Sequence, residues 1–220
     1  IVESAGRWHQ VERIADELYL LMTQEIAEVS ERLDTGTIGS STMPHKVNPK
    51  YVVRVLADAS ELRNLAAPAM ATGRSSPEGC SAKNQLLSAI TDRAVPLAWA
   101  MSDRFEALLH RISVDAPRMA QNAGLTGGAI ATERLMMMLA PLTGRAQAHD
   151  LIHHALDHAP TGTTPAQALT QDAAIRAHMP PERIAEALDP AGYCGDSQRI
   201  AQDAARLGRD AAQQLRDQIR

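Results

Sequence analysis

The sequence predicts an all-α protein, and three observations carry that reading. Apolar residues recur at steps of three and four over long stretches, which lays one stripe along a helix. The apolar fraction is 45 % but aromatics are only 3 %, with alanine, leucine and methionine prominent. Such residues suit close helix packing, whereas sheets favour Val, Ile, Tyr and Phe. No run of strict two-residue alternation marks a strand.

Taken in order, Trp8, Val11, Ala15, Leu18, Met22, Ile26, Val29 and Leu33 follow near-heptad spacing and predict one long helix over 8–33. The pattern stops between Asp34 and Pro49, where glycines, prolines and hydroxyls predict a long loop. It resumes from Tyr51 to about Ala67, with Val52, Val55, Leu56, Ala59 and Leu62 on one side. Residues 71–81 are rich in Gly and Ser and predict an irregular link. A third long helix is expected from Asn84 to Arg111, kinked at Pro96, then a short one capped by Ser113. Gly124 to Gly128 predicts a turn. Beyond it come helices over 129–140 and 146–159, a loop at Thr161 to Pro165, short helical pieces around Pro180 and Pro181, and a turn-rich stretch at 188–196. A last helix carries Ile200, Ala204, Leu207, Ala211, Leu215 and Ile219 at steps of three or four. The expected domains are 1–123, a long-helix bundle part with its loop at 34–49, and 124–220, a smaller helical domain.

Several function classes are disfavoured at once. With 220 residues and a net charge of −4, the chain has no basic excess to neutralise nucleic-acid phosphates. No stretch approaches the roughly 20 apolar residues that span a bilayer, so no membrane partner is expected. Cys80 and Cys194 are too few and too far apart for a disulfide framework or a clustered zinc site. With no signal-peptide layout at the start, a cytoplasmic location is expected. No metal and no cofactor is called for.

The chemistry concentrates in GSSTMPHKVNP, residues 39–49. Two serines follow a glycine, Lys46 comes six residues after the first, and Asn48 two after that. Pro favours the first position of a helix and Asn the cap before it. The expectation is a helix capped by Asn48, whose free N–H groups and positive end stabilise a carboxylate or a developing oxyanion. A serine there is a nucleophile if a base lies near, or a general base if positive charge supports its alkoxide.

That string resembles the signature loop of the fumarase/aspartase superfamily, close to GSSxMPxKxNP. Arg118 to Ile152 and LDPAGYCG, residues 188–195, are similar to the C-terminal domain of its adenylosuccinate lyase and carboxymuconate cycloisomerase branch. The resemblance implies a homotetramer with a central bundle of long helices and active sites shared between subunits. It implies a lyase acting on a small polycarboxylate of the substituted-succinate type. A proton next to a carboxylate is removed, an aci-carboxylate forms, and a β-substituent leaves to give a fumarate-type product, with C–N cleavage favoured. Carried over by position, Ser40 is the general base with Ser41 beside it. Lys46 and Asn48 bind a substrate carboxylate, and Thr42 and Met43 assist through the loop backbone. Carboxymuconate cycloisomerisation by the same proton chemistry is the alternative, and a non-catalytic relative is a third reading. Many members carry a glutamate five residues after the asparagine; here that position is Val53. The superfamily's more N-terminal segments, which supply a histidine and further carboxylate contacts, have no counterpart in 1–220. The chain is therefore expected to be the C-terminal part of a larger enzyme, completed by its own N-terminal half or by a companion chain.

Other residues have plainer readings. His149 and His153 stand four apart, a spacing compatible with metal, but they read with His154 as an exposed polar face. His45 is a loop support. Cys80 and Cys194 read as unreactive thiols, and Met136, Met137 and Met138 as core filling. Arg74, Glu78, Lys83, Asn84 and Gln85 form a polar cluster that suits either a solvated link or substrate contact.

Overall fold

A computed structural model describes residues 2–32, 36, 48–74 and 79–219. The chain divides into two compact units, Ile1–Met119 and Ala120–Arg220. The fold is all-α apart from one short strand pair among the described residues. No described helix is long and apolar enough to cross a membrane.

The first unit is built on α1 (Val2–Leu21), α2 (Tyr51–Asn64), α3 (Ala66–Thr72) and α4 (Ser81–Leu109). α2 packs against both α1 and α4. At one level of the bundle Ala15, Val52, Val55 and Leu108 are buried, with Val11, Leu18 and Phe105 packed around them. At the next, Ala59, Leu62, Ala94 and Met101 are buried beside Trp8 and Leu97. Alanine at Ala15, Ala59 and Ala94 lets the backbones approach closely, and the larger side chains fill the space around them. Three ion pairs among the described residues tie α2 to its neighbours, and in the most exposed of them Arg93 of α4 donates from Nε to Glu61 Oε1 at 2.6 Å. Asp58, 9 % exposed, pairs with Arg104 of α4. Glu12 of α1, 8 % exposed, lies 3.0 Å from Arg63 Nη1.

The long helix expected over 8–33 is shorter than its apolar pattern. α1 stops at Leu21, because the chain reverses through a polar turn. Thr23 Oγ1 donates to the Leu20 carbonyl, and Ala27 takes φ +54°, with its N–H donating to Thr23 O at 2.7 Å. The Arg118 guanidinium holds the turn from outside, donating from Nε to Ile26 O and from Nη2 to Glu25 O. Val29 then belongs to β1 (Val29–Glu31), which pairs antiparallel with β2 (Ile112–Val114) in the register Val29↔Val114, Ser30↔Ser113 and Glu31↔Ile112. Strands of three residues are too short to display a period.

Ser113 is correspondingly a strand residue, not a cap. Asp115 takes that role for α5 (Ala116–Gly124), its Oδ1 accepting from the Arg118 N–H at 3.0 Å. The helix expected over 51–67 is split at Leu65. Pro68 falls in the first turn of α3, where its missing N–H has no intrahelical acceptor to leave. Pro96 lies inside α4.

The second unit holds α6 (Thr132–Thr143), α7 (Arg145–Asp157), α8 (Pro165–Gln171), α9 (Ala173–Arg176), α10 (Pro181–Ala187) and α11 (Ser197–Ile219). Leu135, Leu139, Ile152, Leu169, Ile175 and Ile184 anchor its core. Gly144, at φ +87°, separates α6 from α7. Thr164 and Gln167 form a reciprocal capping box on α8. Of the three consecutive methionines, Met136 and Met138 pack on the core but Met137 is 57 % exposed. Successive residues turn by about 100° around a helix, so three in a row cannot all face one side.

Two substitutions test this account in the complete gene product. Ala27→Gly should stabilise by about 0.5–1 kcal/mol in denaturant unfolding, because glycine accepts a positive φ without a Cβ clash. Gly128→Ala should destabilise by roughly 2 kcal/mol or more. Gly128 sits at φ +93°, and an added Cβ would lie 2.9 Å from the Ala166 Cβ.

Candidate active site

The signature string enters the structure at its end. Ser40, Ser41, Thr42, Met43, His45 and Lys46 lie outside the described residues, while Asn48, Pro49 and Lys50 lie within them. The base of the loop is therefore seen through β1 on one side and α2 on the other.

α2 begins at Tyr51 with Lys50 as its N-cap, and Lys50 makes no side-chain cap hydrogen bond. The first N–H groups of a helix have no acceptor within the helix. Here they are taken by Glu31 of β1. Its Oε1 accepts from the Lys50 N–H at 2.7 Å and the Tyr51 N–H at 2.9 Å, and its Oε2 accepts from the Val52 N–H at 3.1 Å. Glu31 is 6 % exposed. Strand alternation explains its direction: Val29 and Glu31 point inward while Ser30 points out. The inward site is a row of amides at the positive end of a helix, which neutralises a buried carboxylate.

This corrects the expectation of an Asn48-capped, Pro49-opened helix with free N–H groups. Asn48 and Pro49 stand outside α2, and the amide cluster expected to receive a substrate anion already holds the protein's own carboxylate. The first amides of α2 are therefore already engaged by Glu31. Pro49 lines a small cleft with Met22, Val29, Ser30 and Glu31, and this seats the residue after Asn48 against β1. The Arg111 guanidinium stacks over the Tyr51 ring at 4.3 Å from its centroid. Arg32 donates to the His110 carbonyl, joining the chain just after β1 to the end of α4. Val53 is 37 % exposed on the first turn of α2.

Sequence reasoning missed Glu31. Local capping signals look three residues ahead, and this acceptor lies 19 to 21 residues before its donors. The available hint was an acid placed just before the loop, in a stretch whose strand character was hidden.

The remaining candidates are elsewhere. His149 and His153 have ring centroids 4.4 Å apart and line a cleft with Thr132, Glu133, Met136 and Ile152. His154 stacks on His158 at 4.1 Å. Among the described residues no group of three or more His, Cys, Asp or Glu side chains is placed to hold a metal. The Tyr193 hydroxyl donates to Glu133 Oε2 at 3.3 Å; desolvation first, then the Glu133 charge, raise its pKa. Cys80 is half-buried and Cys194 exposed, and the two are not joined by a disulfide. From the polar cluster after α3, Lys83 Nζ donates to the Arg74 carbonyl, bridging α3 to α4, and Glu78 lies outside the described residues.

Two family models match the chain: Lyase over residues 7–58, and Adenylosuccinate lyase C-terminus over residues 128–204. The first includes β1, Glu31, the signature string and the start of α2. A nitrosuccinate lyase of Streptomyces davaonensis is 33 % identical over 191 residues, covering 83 % of this chain and 39 % of that protein. A 3-carboxy-cis,cis-muconate cycloisomerase of Bradyrhizobium diazoefficiens is 33 % identical over 196 residues, covering 86 % and 42 %. The crystal structure of a 3-carboxy-cis,cis-muconate lactonizing enzyme from Pseudomonas putida superposes with a TM-score of 0.78 at 26 % identity, covering 94 % of this chain and 48 % of that one. The chain belongs to the fumarase/aspartase superfamily of enzymes. It spans about two-fifths of the length of these curated relatives.

Removing the internal cap should be costly. Glu31→Ala leaves three amides without their acceptor, and unfolding of the complete gene product should show a loss of about 2–3 kcal/mol.

Proposed function

We propose that this chain is part of a lyase that eliminates a β-substituent from a substituted succinate through an aci-carboxylate intermediate. The observation that carries the proposal is the unbroken string 39–49, which runs directly into α2. Ser40 removes the proton next to a substrate carboxylate, with Ser41 beside it. The electron pair moves into that carboxylate, which then bears extra negative charge. The Lys46 ammonium and the Asn48 amide bind this group and meet the added charge, and Thr42 and Met43 contribute through the backbone. Loss of the β-substituent regenerates the carboxylate and leaves a fumarate-type double bond. Occupation of the α2 amides by Glu31 supports assigning the charge-stabilising role to these side chains and not to the helix end. The general acid comes from a segment outside this chain, in its own N-terminal half or a companion chain.

C–N cleavage is favoured because a relative at 33 % identity is named for a nitrogen-substituted succinate. Carboxymuconate cycloisomerisation is the second reading, supported by a relative of that name at the same identity. It uses the same proton transfer for ring closure or opening and differs in its product. A non-catalytic relative is the third reading, and the intact serine, lysine and asparagine positions argue against it. Assembly as a homotetramer is part of the proposal. Exposed Ile14 and Leu20 on α1, and Val95 and Trp99 on α4, supply apolar surface for contacts between copies.

The test is a panel of nitrosuccinate, N-substituted aspartates, S-succinyl thioethers and 3-carboxy-cis,cis-muconate, given to the complete gene product with products identified by chromatography. On the substrate that turns over, Ser40→Ala should lower kcat by about 10²–10⁴-fold while ligand binding persists. Lys46→Met should weaken binding and turnover together, because Lys46 meets charge in both ground and transition states. Normal turnover by Ser40→Ala would overturn the assignment. No turnover anywhere on the panel would favour the non-catalytic reading.

A further inference from the structure

An Asn followed by Pro at the approach to a helix has an obvious local use. Its side chain can cap the helix, accepting an amide of the first turn. An Asn used that way has its carbonyl oxygen committed and its orientation set by the helix. Asn48 is placed for this by sequence, yet the structure gives the cap to Lys50 and the amides to Glu31.

Three features make Glu31 more than a convenient acceptor. It is nearly fully buried, so its charge is tolerated only with donors on both oxygens. It stands on β1, which the ladder to β2 holds in register. It binds the chain two to four residues beyond Asn48, while Pro49 lines the cleft against the same strand. The backbone on the C-terminal side of Asn48 is thus tied to β1 at consecutive points.

We propose that Glu31 is a positioning residue for Asn48. By taking the amides at the start of α2, it frees the Asn48 side chain from helix capping and anchors the backbone behind it, leaving the amide available to a substrate carboxylate. This rests on the reading of Asn48 as a carboxylate ligand. Without Glu31, the bare amides of α2 compete for the Asn48 carbonyl oxygen, and the helix can start two residues earlier.

Fumarate is the probe, and its affinity for the complete gene product is measured by calorimetry. Four proteins are compared: the wild type, Asn48→Ala, Glu31→Gln and the double variant. Glu31→Gln retains a carbonyl oxygen for Lys50 and Tyr51 but loses the charge and the acceptor for Val52. Each single substitution should weaken fumarate binding roughly ten- to hundredfold, the scale on which misplacing a binding group acts. The double variant should bind no worse than Asn48→Ala, because Glu31 acts through Asn48. A merely structural role gives a loss in the double variant equal to the product of the two single losses, and that result overturns the proposal. So does wild-type affinity in Glu31→Gln when Asn48→Ala is impaired. If Glu31→Gln fails to fold, Glu31→Asp keeps the charge and shortens the reach; it should show a smaller loss, again absent in the Asn48→Ala background. If Asn48→Ala itself binds fumarate normally, the carboxylate-ligand reading is what falls, and the positioning role falls with it.

Discussion

The carboxylate of Glu31 seated on the first amides of α2 is the constraint on which the first unit turns. A helix end is a cluster of unsatisfied donors with a partial positive charge, and a buried acid is the opposite. Each is unfavourable alone inside a protein, and together they satisfy one another. The contact also joins segments 19 residues apart, so it closes the loop that carries the signature string. The base of the loop is therefore set by a buried electrostatic contact between a strand of three residues and a helix terminus.

α2 is the element that the other contacts address. Glu31 meets its N-terminus, Arg104 reaches Asp58 along its length, and Glu12 reaches Arg63 near its end. Apolar packing supplies the drive to bury α2 but tolerates small slips of one helix along another. Charged pairs at fixed heights penalise such slips, since each shift would strand a buried charge. With alanines at the close approaches, this specifies one register for the bundle and one location for the loop base.

The same contact reshapes the electrostatics of the proposed chemistry. Helix N-termini commonly bind anions, and the string before α2 invites that interpretation. Glu31 removes it, because its negative charge offsets the helix end and occupies the donors. In the proposed mechanism the charge on the aci-carboxylate is instead met by the Lys46 ammonium and the Asn48 amide, with Thr42 and Met43 assisting through the loop backbone. That division suits a reaction in which the negative charge grows only during proton removal.

Much of this protein was legible in its sequence. The three- and four-residue steps of Val52, Val55, Ala59 and Leu62 marked α2, the stretch from Thr161 to Pro165 marked a loop between helices, and the contiguous string 39–49 marked the family. These are local signals: they depend on residues close together in the chain. The end of α1 at Leu21, the pairing of Val29 with Val114 and the capping of α2 by Glu31 were decided only in three dimensions. Each depends on a partner far along the chain. Arg118 holds the turn after α1, β2 holds β1, and Glu31 reaches amides 19 to 21 residues away. Ile26 and Val29 extend the helical pattern of α1 by chance of spacing, and a periodic sequence cannot report that a distant guanidinium has turned the chain aside. The sequence alone thus determined most of the helical segments and the string that marks the family, because periodicity and motif are local. Tertiary structure decided where the first helix stops and which acid fills the helix end, because burial and charge compensation join residues that the sequence keeps apart.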